Sequence, residues 1–218
     1  MLRQEARTIY YLDETWYDTH DTAKKGWVDR SGRCVAKVPT NKGKRLIILH
    51  CGSKEGWVQN GLYLAGKRLE YCHLDYHKNM DANVFAKWFK DHLLSNIKPR
   101  NIIVMDNESY HSRQEEKIPT KGSSKSTIQK FLIDNNLYFE ENYTKEELLE
   151  VMRTKTCKKK YVINRLAEEH GLIILRLPAH YCIFNPIEMI WAQLKQNIRR
   201  KNRYPKFDWK VIELIRNE

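Results

Sequence analysis

Short apolar runs recur along the chain and predict its strands. They are rich in Ile, Leu, Val and Tyr and lie at 9–14, 45–51, 56–64, 101–106 and 172–177. Gly52 and Gly56 lie between the second and third runs, which predicts that these two strands form a hairpin. The run at 101–106 is apolar without alternation, which is typical of a strand buried on both faces.

Helical spacing of apolar residues predicts the helices. After Asp81, which is a good N-cap residue, Val84, Phe85, Trp88 and Leu93 recur at helical intervals and predict an amphipathic helix that ends before the next proline. Further helices are predicted at 124–135, 144–152, 159–170 and 186–202. The segment Thr-Lys-Glu-Glu at 144–147 fits a capping box.

The order of these elements predicts the fold class. Three strands, a helix, a fourth strand, a helical insertion, a fifth strand and a final helix make an α/β mixed sheet flanked by helices. This is the order of a ribonuclease H-like fold. We therefore expect one domain over 1–218, with a helical insertion at 112–170 between the fourth and fifth strands. The helices of this insertion are expected to be basic. Two roles stay open for them: contact with DNA or a partner subunit, or only covering the sheet.

Three carboxylates lie at matching positions of these elements. Asp13 and Asp106 close apolar strands, and Glu188 lies just inside the last helix. If the two strands are parallel and adjacent, both Asp residues lie at the edge of the sheet where ligands of open α/β sheets bind. Carboxylates so close repel each other unless a cation lies between them. Mg²⁺ prefers oxygen ligands, and two such ions suit in-line displacement at a phosphodiester.

Each acid also has a simpler interpretation. Glu14, beside Asp13, is the alternative ligand, and Asp106 with Asn107 fits turn chemistry. Asn185, Pro186 and Glu188 fit the N-cap, N1 and N3 positions of a helix, so this segment is compatible with a cap alone. The coincidence of three acids at matched element ends favours the metal site.

Composition narrows the class of partner. Lys and Arg outnumber Asp and Glu by 39 to 27, a net charge of +12, which favours nucleic acid first and an anionic membrane second. A solvated basic surface is the alternative. No apolar run approaches the roughly 20 residues of a membrane span. Basic residues that are candidates for DNA contact are Lys24, Lys25, Lys42, Lys44, Arg45, Lys195, Arg199, Arg200, Lys201 and Arg203.

The five cysteines are an odd number without a CxxC pair. They indicate reduced thiols in an intracellular protein, because neither a disulfide framework nor a standard zinc site has this spacing.

Three motifs resemble those of a known family. They are Asp13-Glu14-Thr15-Trp16, Met105-Asp106-Asn107 with Tyr110-His111, and the segment from Leu177-Pro178-Ala179-His180-Tyr181 to Asn185-Pro186-Ile187-Glu188. Together they resemble the catalytic domain of mariner-superfamily DDE transposases over about residues 8 to 200. The last motif is specific in combination, whereas the first two are short.

The resemblance implies a metal-dependent cut-and-paste DNA transposase. Asp13, Asp106 and Glu188 would be its metal ligands, with Mg²⁺ as the ion, Mn²⁺ as a substitute and two ions at the site. Asn107, His111 and Glu14 would support these ligands or face DNA. The implied partners are double-stranded DNA, both transposon ends and target, and a second copy of the chain in a homodimer. The implied location is the nucleus, with no membrane partner.

Two features depart from the family pattern. Between Asp106 and Glu188 lie 81 residues, more than mariner elements typically have, which indicates a divergent branch. The family's N-terminal helix-turn-helix DNA-binding region is expected to be absent. Two other functions stay open at this point. One is a domesticated DNA-binding or assembly module without activity, and the other is a ribonuclease H-like nuclease acting on RNA–DNA hybrids.

Overall fold

The computed structural model describes residues 7–18, 20–21, 30–31, 43, 45–66, 80–154, 159–178, 181–202 and 209–217. Five of the candidate DNA contacts lie outside the described residues: Lys24, Lys25, Lys42, Lys44 and Arg203. Among the described residues, no helix is both long and apolar enough to cross a membrane. Cys51 and Cys182 are free thiols.

A six-stranded mixed sheet forms the centre of the protein. Its strands are β1 (Ile9–Asp18), β2 (Arg45–Ser53), β3 (Gly56–Trp57), β4 (Tyr63–Gly66), β5 (Ile102–Met105) and β6 (Ile173–Arg176). The order across the sheet is β3-β2-β1-β5-β6, and β4 also pairs with β2. β1 is antiparallel to β2. β5 lies between β1 and β6 and is parallel to both. The predicted ribonuclease H-like mixed sheet is confirmed.

Helices cover both faces of this sheet. The first is α1 (Ala82–Trp88), which continues through a π-helical turn (Phe89–Leu93) and a 3₁₀ turn (Leu94–Asn96). The Asp81 side chain caps α1 by accepting from the N–H groups of Asn83 and Val84, as predicted. α1 and α4 (Val162–Glu169) bury Phe85, Phe89 and Ile163 against one face of the sheet.

The other face of the sheet packs against α5 (Ile187–Lys201) and α6 (Trp209–Asn217). Trp191, Leu194 and Ile198 of α5 contact Tyr17, Leu46 and Ile48 of the sheet in a second core. The apolar residues of α5 recur every three or four positions, so one stripe of the helix is buried and its charged residues stay in solvent.

A pair of helices stands apart from the sheet with a core of its own. α2 (Lys125–Asp134) and α3 (Lys145–Thr154) bury Ile128, Phe131, Leu132, Leu148 and Met152 against each other. The predicted capping box at the start of α3 is confirmed, because the Thr144 N–H donates to Glu147 Oε2 at 2.6 Å and the Glu147 N–H donates back to Thr144 Oγ1 at 3.4 Å. α3 carries Glu146, Glu147 and Glu150, so the prediction of basic helices is wrong for α3.

The segment that carries this helix pair starts and ends at one place, which we call the neck. Gln114 and Tyr161 form an antiparallel β-bridge. Beside it, the Glu115 N–H donates to the Lys160 carbonyl and the Val162 N–H donates to the Arg113 carbonyl, each at 3.0 Å. The excursion between 115 and 160 therefore starts and ends at the same place, and α4, which follows it, packs on the sheet.

Four details differ from the sequence predictions. β1 continues to Asp18, so Asp13, which was expected to close this strand, lies within it. The strand expected at 56–64 is divided into β3 and β4, because residues 59–62 turn away between two short pairings with β2. α6 was not predicted. Trp16 and Trp191 match aromatic positions of the resembling family and were both expected in the core, but Trp16 is 48% exposed, whereas Trp191 is 2% exposed.

Candidate metal and catalytic site

Strand register brings the first two acids level with each other. β1 and β5 are parallel, with Tyr11 opposite Val104 as the last paired position. Asp13 follows two residues after that pair within β1, and Asp106 follows two residues after it, directly beyond the end of β5. Since side chains alternate between the faces of a strand, Asp13 shares the face on which Tyr11 and α5 lie.

The third acid is brought to the same edge by a tether between α5 and β1. Asn185 is buried, and its side-chain N–H donates to the Leu12 carbonyl at 3.1 Å, one residue before Asp13. Glu188 lies in the first turn of α5 and is exposed. The prediction that Asn185 caps the helix is wrong: Pro186 holds the cap position without a side-chain bond. The buried amide instead binds a strand carbonyl, which fixes the helix start beside Asp13.

The carboxyl group of Asp13 lies in an environment that disfavours its charge. Burial, and then the negative charges of Glu14 and Glu188, raise its pKa to about 8, and Asp106 adds to the effect. Its cross-strand partner in the β1–β2 pair is His50. Burial lowers the pKa of His50 to about 4, so at neutral pH this imidazole brings no positive charge. Asp13 therefore lies among carboxylates with no cation from His50.

Asp106 and Glu14 share a buried histidine. His111 is fully buried, with Nδ1 2.6 Å from Asp106 Oδ1 and Nε2 2.9 Å from Glu14 Oε1. Burial opposes a charge on His111, but the two carboxylates outweigh it and raise its pKa to about 9. Burial likewise opposes the charge on Asp106, and the hydrogen bond and charge of His111 hold the pKa of Asp106 below its ordinary value. We call this arrangement the His111 clamp.

A half-buried arginine holds the loop that carries the clamp. Arg176, at the end of β6, donates to the His111 carbonyl at 2.9 Å and to Ser112 Oγ at 3.1 Å. It also donates to Asn164 Oδ1 at 3.0 Å, and its guanidinium lies 4.5 Å from the centre of the Tyr161 ring. Arg176 thus links the loop after Asp106 to the neck and to α4.

The donor set fits a divalent cation by its chemistry. Asp13, Asp106 and Glu188 offer oxygen ligands, which Mg²⁺ and Mn²⁺ accept. Burial and the neighbouring acids raise the pKa of Asp13, so a bound cation would favour its charged form. Among the described residues, no three His, Cys, Asp or Glu side chains are grouped so that they could hold a metal ion. Asp13 lies close enough to Asp106 and Glu188 for their charges to raise its pKa, but the three acids do not form such a group.

The structure separates the remaining predicted site residues. Glu14 and His111 are buried in the clamp and do not face a substrate. Asn107 is exposed and accepts from Ser112 Oγ at 2.7 Å. Lys195 is half-buried on α5; burial lowers its pKa, and Glu188 partly offsets that effect.

Most of the described basic candidates are engaged or lie at the far end of α5. Arg45 pairs with Asp18 at 3.2 Å, and Arg199 pairs with Asp21 at 2.6 Å. Arg200 is exposed in the last turn of α5, next to Lys201. These positions allow contact with a DNA backbone at one end of the helix while Glu188 lies at the other.

Two residues of the site were missed from the sequence. Arg176 is the one charged residue in the apolar run 172–177, and a lone cation in an apolar strand is a signal that this run carried. His50 carries no comparable signal, since its place opposite Asp13 depends on the register of β1 and β2.

Comparisons with known proteins place the chain among nucleases. The sequence profile described as DDE superfamily endonuclease matches residues 8–209. No curated protein matches the chain. One similar solved structure is the Mos1 transposase paired-end complex with left transposon end, at 13% identity and a TM-score of 0.48, covering 97% of this chain and 48% of that one. Another is the Mos1 Strand Transfer Complex, at 14% identity and a TM-score of 0.37, covering 99% and 55%. The chain thus spans about half the length of these transposase chains.

Proposed function

Because the chain belongs to the DDE superfamily endonuclease family, we propose that it is the catalytic domain of a mariner-type transposase that cuts and rejoins DNA with divalent metal ions. The observation that carries this proposal is the convergence of three carboxylates at one edge of the sheet. Glu188 and Asp106 both raise the pKa of Asp13, so the charges of both acids act on Asp13.

Asp13, Asp106 and Glu188 would hold the metal ions. A pair of Mg²⁺ or Mn²⁺ ions, when bound, activates the attacking oxygen and stabilises the leaving oxygen. The chain's own residues set the geometry around them. His111 keeps Asp106 ionised and fixes its orientation, and Asn185 holds the start of α5 against β1. Their side chains are buried, so the site is held by packed groups.

The proposed reaction has two displacement steps at phosphorus. In the first, the oxygen of water attacks a phosphodiester at the element's end, the bond from phosphorus to the 3′ oxygen breaks, and a 3′-hydroxyl is released. In the second, that hydroxyl oxygen attacks a phosphodiester of the target DNA and displaces the target's 3′ oxygen, which takes up the proton. One new strand junction forms for each target bond broken.

The proposed partner is double-stranded DNA, at both transposon ends and target. The net charge of +12 supports this, because Lys and Arg bind the phosphate backbone and release its counterions. Most such contacts position the duplex without reading its sequence, and affinity falls as salt rises. We also propose a homodimer, a nuclear location, and one catalytic domain carrying the helical insertion.

Cleavage of labelled DNA tests the proposal. The wild-type chain is incubated with duplex DNA and Mg²⁺ or Mn²⁺, in parallel with Glu188→Gln and with Glu146→Gln, an exposed glutamate of α3. Glu188→Gln removes a ligand charge, so we expect a loss of more than about 100-fold, at least the effect of losing a group that supports a ligand. Glu146→Gln should cut as the wild type does. Equal cutting by Glu188→Gln and wild type would reject Glu188 as a ligand.

Two further outcomes assign the chain to the other functions. A strong preference for RNA–DNA hybrids over duplex DNA identifies a ribonuclease H-like nuclease. Binding of DNA without cutting by the wild type, with either metal, identifies an assembly module without activity.

A further inference from the structure

Exposed apolar side chains surround the start of α5. The 3₁₀ turn Cys182–Phe184 and the residue before it present Tyr181, Ile183 and Phe184, which are 50%, 82% and 61% exposed. Directly after Glu188 follow Met189 and Ile190, which are also exposed. These five side chains are called the apolar rim, and Glu188 lies between its two parts in the sequence.

Two aromatic rings in the rim present flat faces. Tyr181 and Phe184 are stacked, with ring centres 5.5 Å apart and planes inclined by 7°. The two rings are already nearly parallel, so a third flat ring can stack on them without any change in their side-chain conformations. Offset stacking of this kind stabilises aromatic pairs beyond the burial of their area.

The position of the rim restricts what it contacts. A substrate phosphate held at Glu188 lies beside the rim, so the parts of the substrate next to that phosphate meet Tyr181 and Phe184. An apolar ring is a poor partner for a phosphate and a good one for a nucleobase, because every base has a π face. Lys195 lies on the same helix near enough to Glu188 for their charges to interact, so it offers positive charge to the backbone. Aromatic rings next to basic groups are the combination that binds unpaired strands.

We propose that the apolar rim stacks an unpaired nucleobase next to the bond that is cut. Paired bases inside a duplex stack on one another and hide their faces, so this surface recognises DNA in which the base beside the reacting phosphate is frayed or unpaired. The inference rests on the proposed function, since it takes the reacting phosphate to lie at Glu188. It adds a preference in substrate structure, forked or frayed DNA over a fully paired duplex.

Fluorescence of 2-aminopurine tests this without cleavage. The probe is a forked DNA with 2-aminopurine in the unpaired arm, and the protein is the full chain with Glu188→Gln. Stacking on Tyr181 and Phe184 should quench the fluorescence, and affinity for the fork should exceed that for the paired duplex about 10-fold, within the range of one base–aromatic stack. Replacing both rings, Tyr181→Leu with Phe184→Leu, keeps the apolar volume and should abolish the quench and the preference.

Tyr138→Leu provides the matched control. Tyr138 is 76% exposed, between α2 and α3, so its loss should leave both quench and preference unchanged. Thermal unfolding of each variant shows whether the fold is kept; if the double variant unfolds early, Tyr181→Phe is used, which keeps the ring and should keep the quench.

Two results would overturn the proposal. One is equal quenching by the folded double variant, and the other is loss of self-association in that variant without any quench in the parent, which would make the rim a protein interface. Cleavage of paired duplex by the wild-type chain is measured separately. Cutting without quench removes only the stacking proposal, and quench without cutting removes only the proposed enzyme activity.

Discussion

Adjacent carboxylates on β1 lie in opposite electrostatic surroundings. Glu14 faces the α1 side of the sheet and is held 2.9 Å from the imidazole of His111, which also binds Asp106. Asp13 faces the α5 side among other acids, opposite a neutral His50, and its pKa rises to about 8. One side of the strand thus carries its own counter-charge, and the other does not.

This difference explains how two adjacent acids, Asp13 and Glu14, have different roles: Glu14 supports the site, and Asp13 is available as a metal ligand. The buried imidazole of His111 on the Glu14 side lies within hydrogen-bond distance of two carboxylates, and their charges raise its pKa to about 9. The Asp13 side has no such cation among the described residues, so without metal the Asp13 carboxyl group holds a proton up to a pKa of about 8. Glu14, the alternative ligand, is therefore less suited to hold a metal ion than Asp13, because its oxygen is already bound inside the protein.

Removing the clamp should have the largest effect on stability. His111→Ala leaves the buried Glu14 without its partner and frees Asp106, and breaking a buried pair costs about 3 to 5 kcal/mol. Urea unfolding measures the change in the free energy of unfolding. His92→Ala, at an exposed position of the first helix, is the matched control and should be nearly neutral. A cost below about 1 kcal/mol for His111→Ala would mean that the clamp does not hold this loop.

Replacing each of the two neighbouring acids by its amide should separate the roles of Asp13 and Glu14 in cleavage. Asp13→Asn removes a proposed ligand, and we expect the rate with Mg²⁺ to fall more than about 100-fold. Glu14→Gln keeps a hydrogen-bonding group next to His111 and should lower the rate about 10-fold or less. Single-turnover cleavage measures both, with the exposed Asp134→Asn as control. If Glu14→Gln has the larger effect, the assignment of the ligand moves to Glu14.

Removal of metal should make stability fall as pH rises. The pKa of Asp13 is higher in the folded chain, at about 8, than the ordinary 3.8. The folded state therefore binds the proton more tightly, and stability falls between these values by about 1.4 kcal/mol per pH unit. The stability that His111 contributes is complete below its ordinary pKa of 6.5 and is also lost as pH rises through about 9.

Thermal unfolding in EDTA between about pH 6 and about pH 8 measures this slope. Asp13→Asn should make the slope shallower, and the part that remains belongs to His111. Adding Mg²⁺ should raise the unfolding temperature most at the higher pH, where Asp13 is ready to ionise. An unchanged slope in Asp13→Asn would show that Asp13 is already ionised in the metal-free protein.

The smallest expected effect concerns the tether of α5. Asn185→Ala leaves the Leu12 carbonyl without this donor, and a lost buried hydrogen bond costs about 1 kcal/mol. Because Glu188 then loses its fixed position, cleavage should decline more than stability does. Comparison of the cleavage rate with the free energy of unfolding tests this, with the exposed Asn142→Ala as control. If Asn185→Ala and Asn142→Ala lose the same cleavage rate and the same stability, the hydrogen bond from Asn185 to Leu12 does not position Glu188.

Local motifs and one strand end were predictable from the sequence, whereas long-range partners were not. Asp106 closes an apolar run and directly follows β5, so its place at a strand end follows from local pattern. The same holds for the Asp81 cap and the box at Thr144 and Glu147, in which all partners lie within four residues. Asp13 lies within β1 instead, because pairing with β2 extends this strand to Asp18.

Contacts that join distant segments could not be predicted in this way. Asn is a residue type that favours helix caps, but the Asn185 side chain donates to the Leu12 carbonyl, 173 residues away in the sequence. A buried amide binds whichever carbonyl the packing places next to it. His111 reaches Glu14 across 97 residues for the same reason. Local pattern identifies the residue types, and the register of β1, β2 and β5 decides what each one contacts.

The neck at Gln114 and Tyr161 has a consequence for how this protein can change length. Because the excursion leaves and returns at one bridge, sequence distance between the second and third acids is independent of their distance in space. Lengthening a closed loop is inexpensive, about 0.6 kcal/mol for each doubling. The neck is therefore a splice point, where evolution or an engineer can graft, shorten or exchange a whole folded unit while the arrangement of Asp13, Asp106 and Glu188 stays the same.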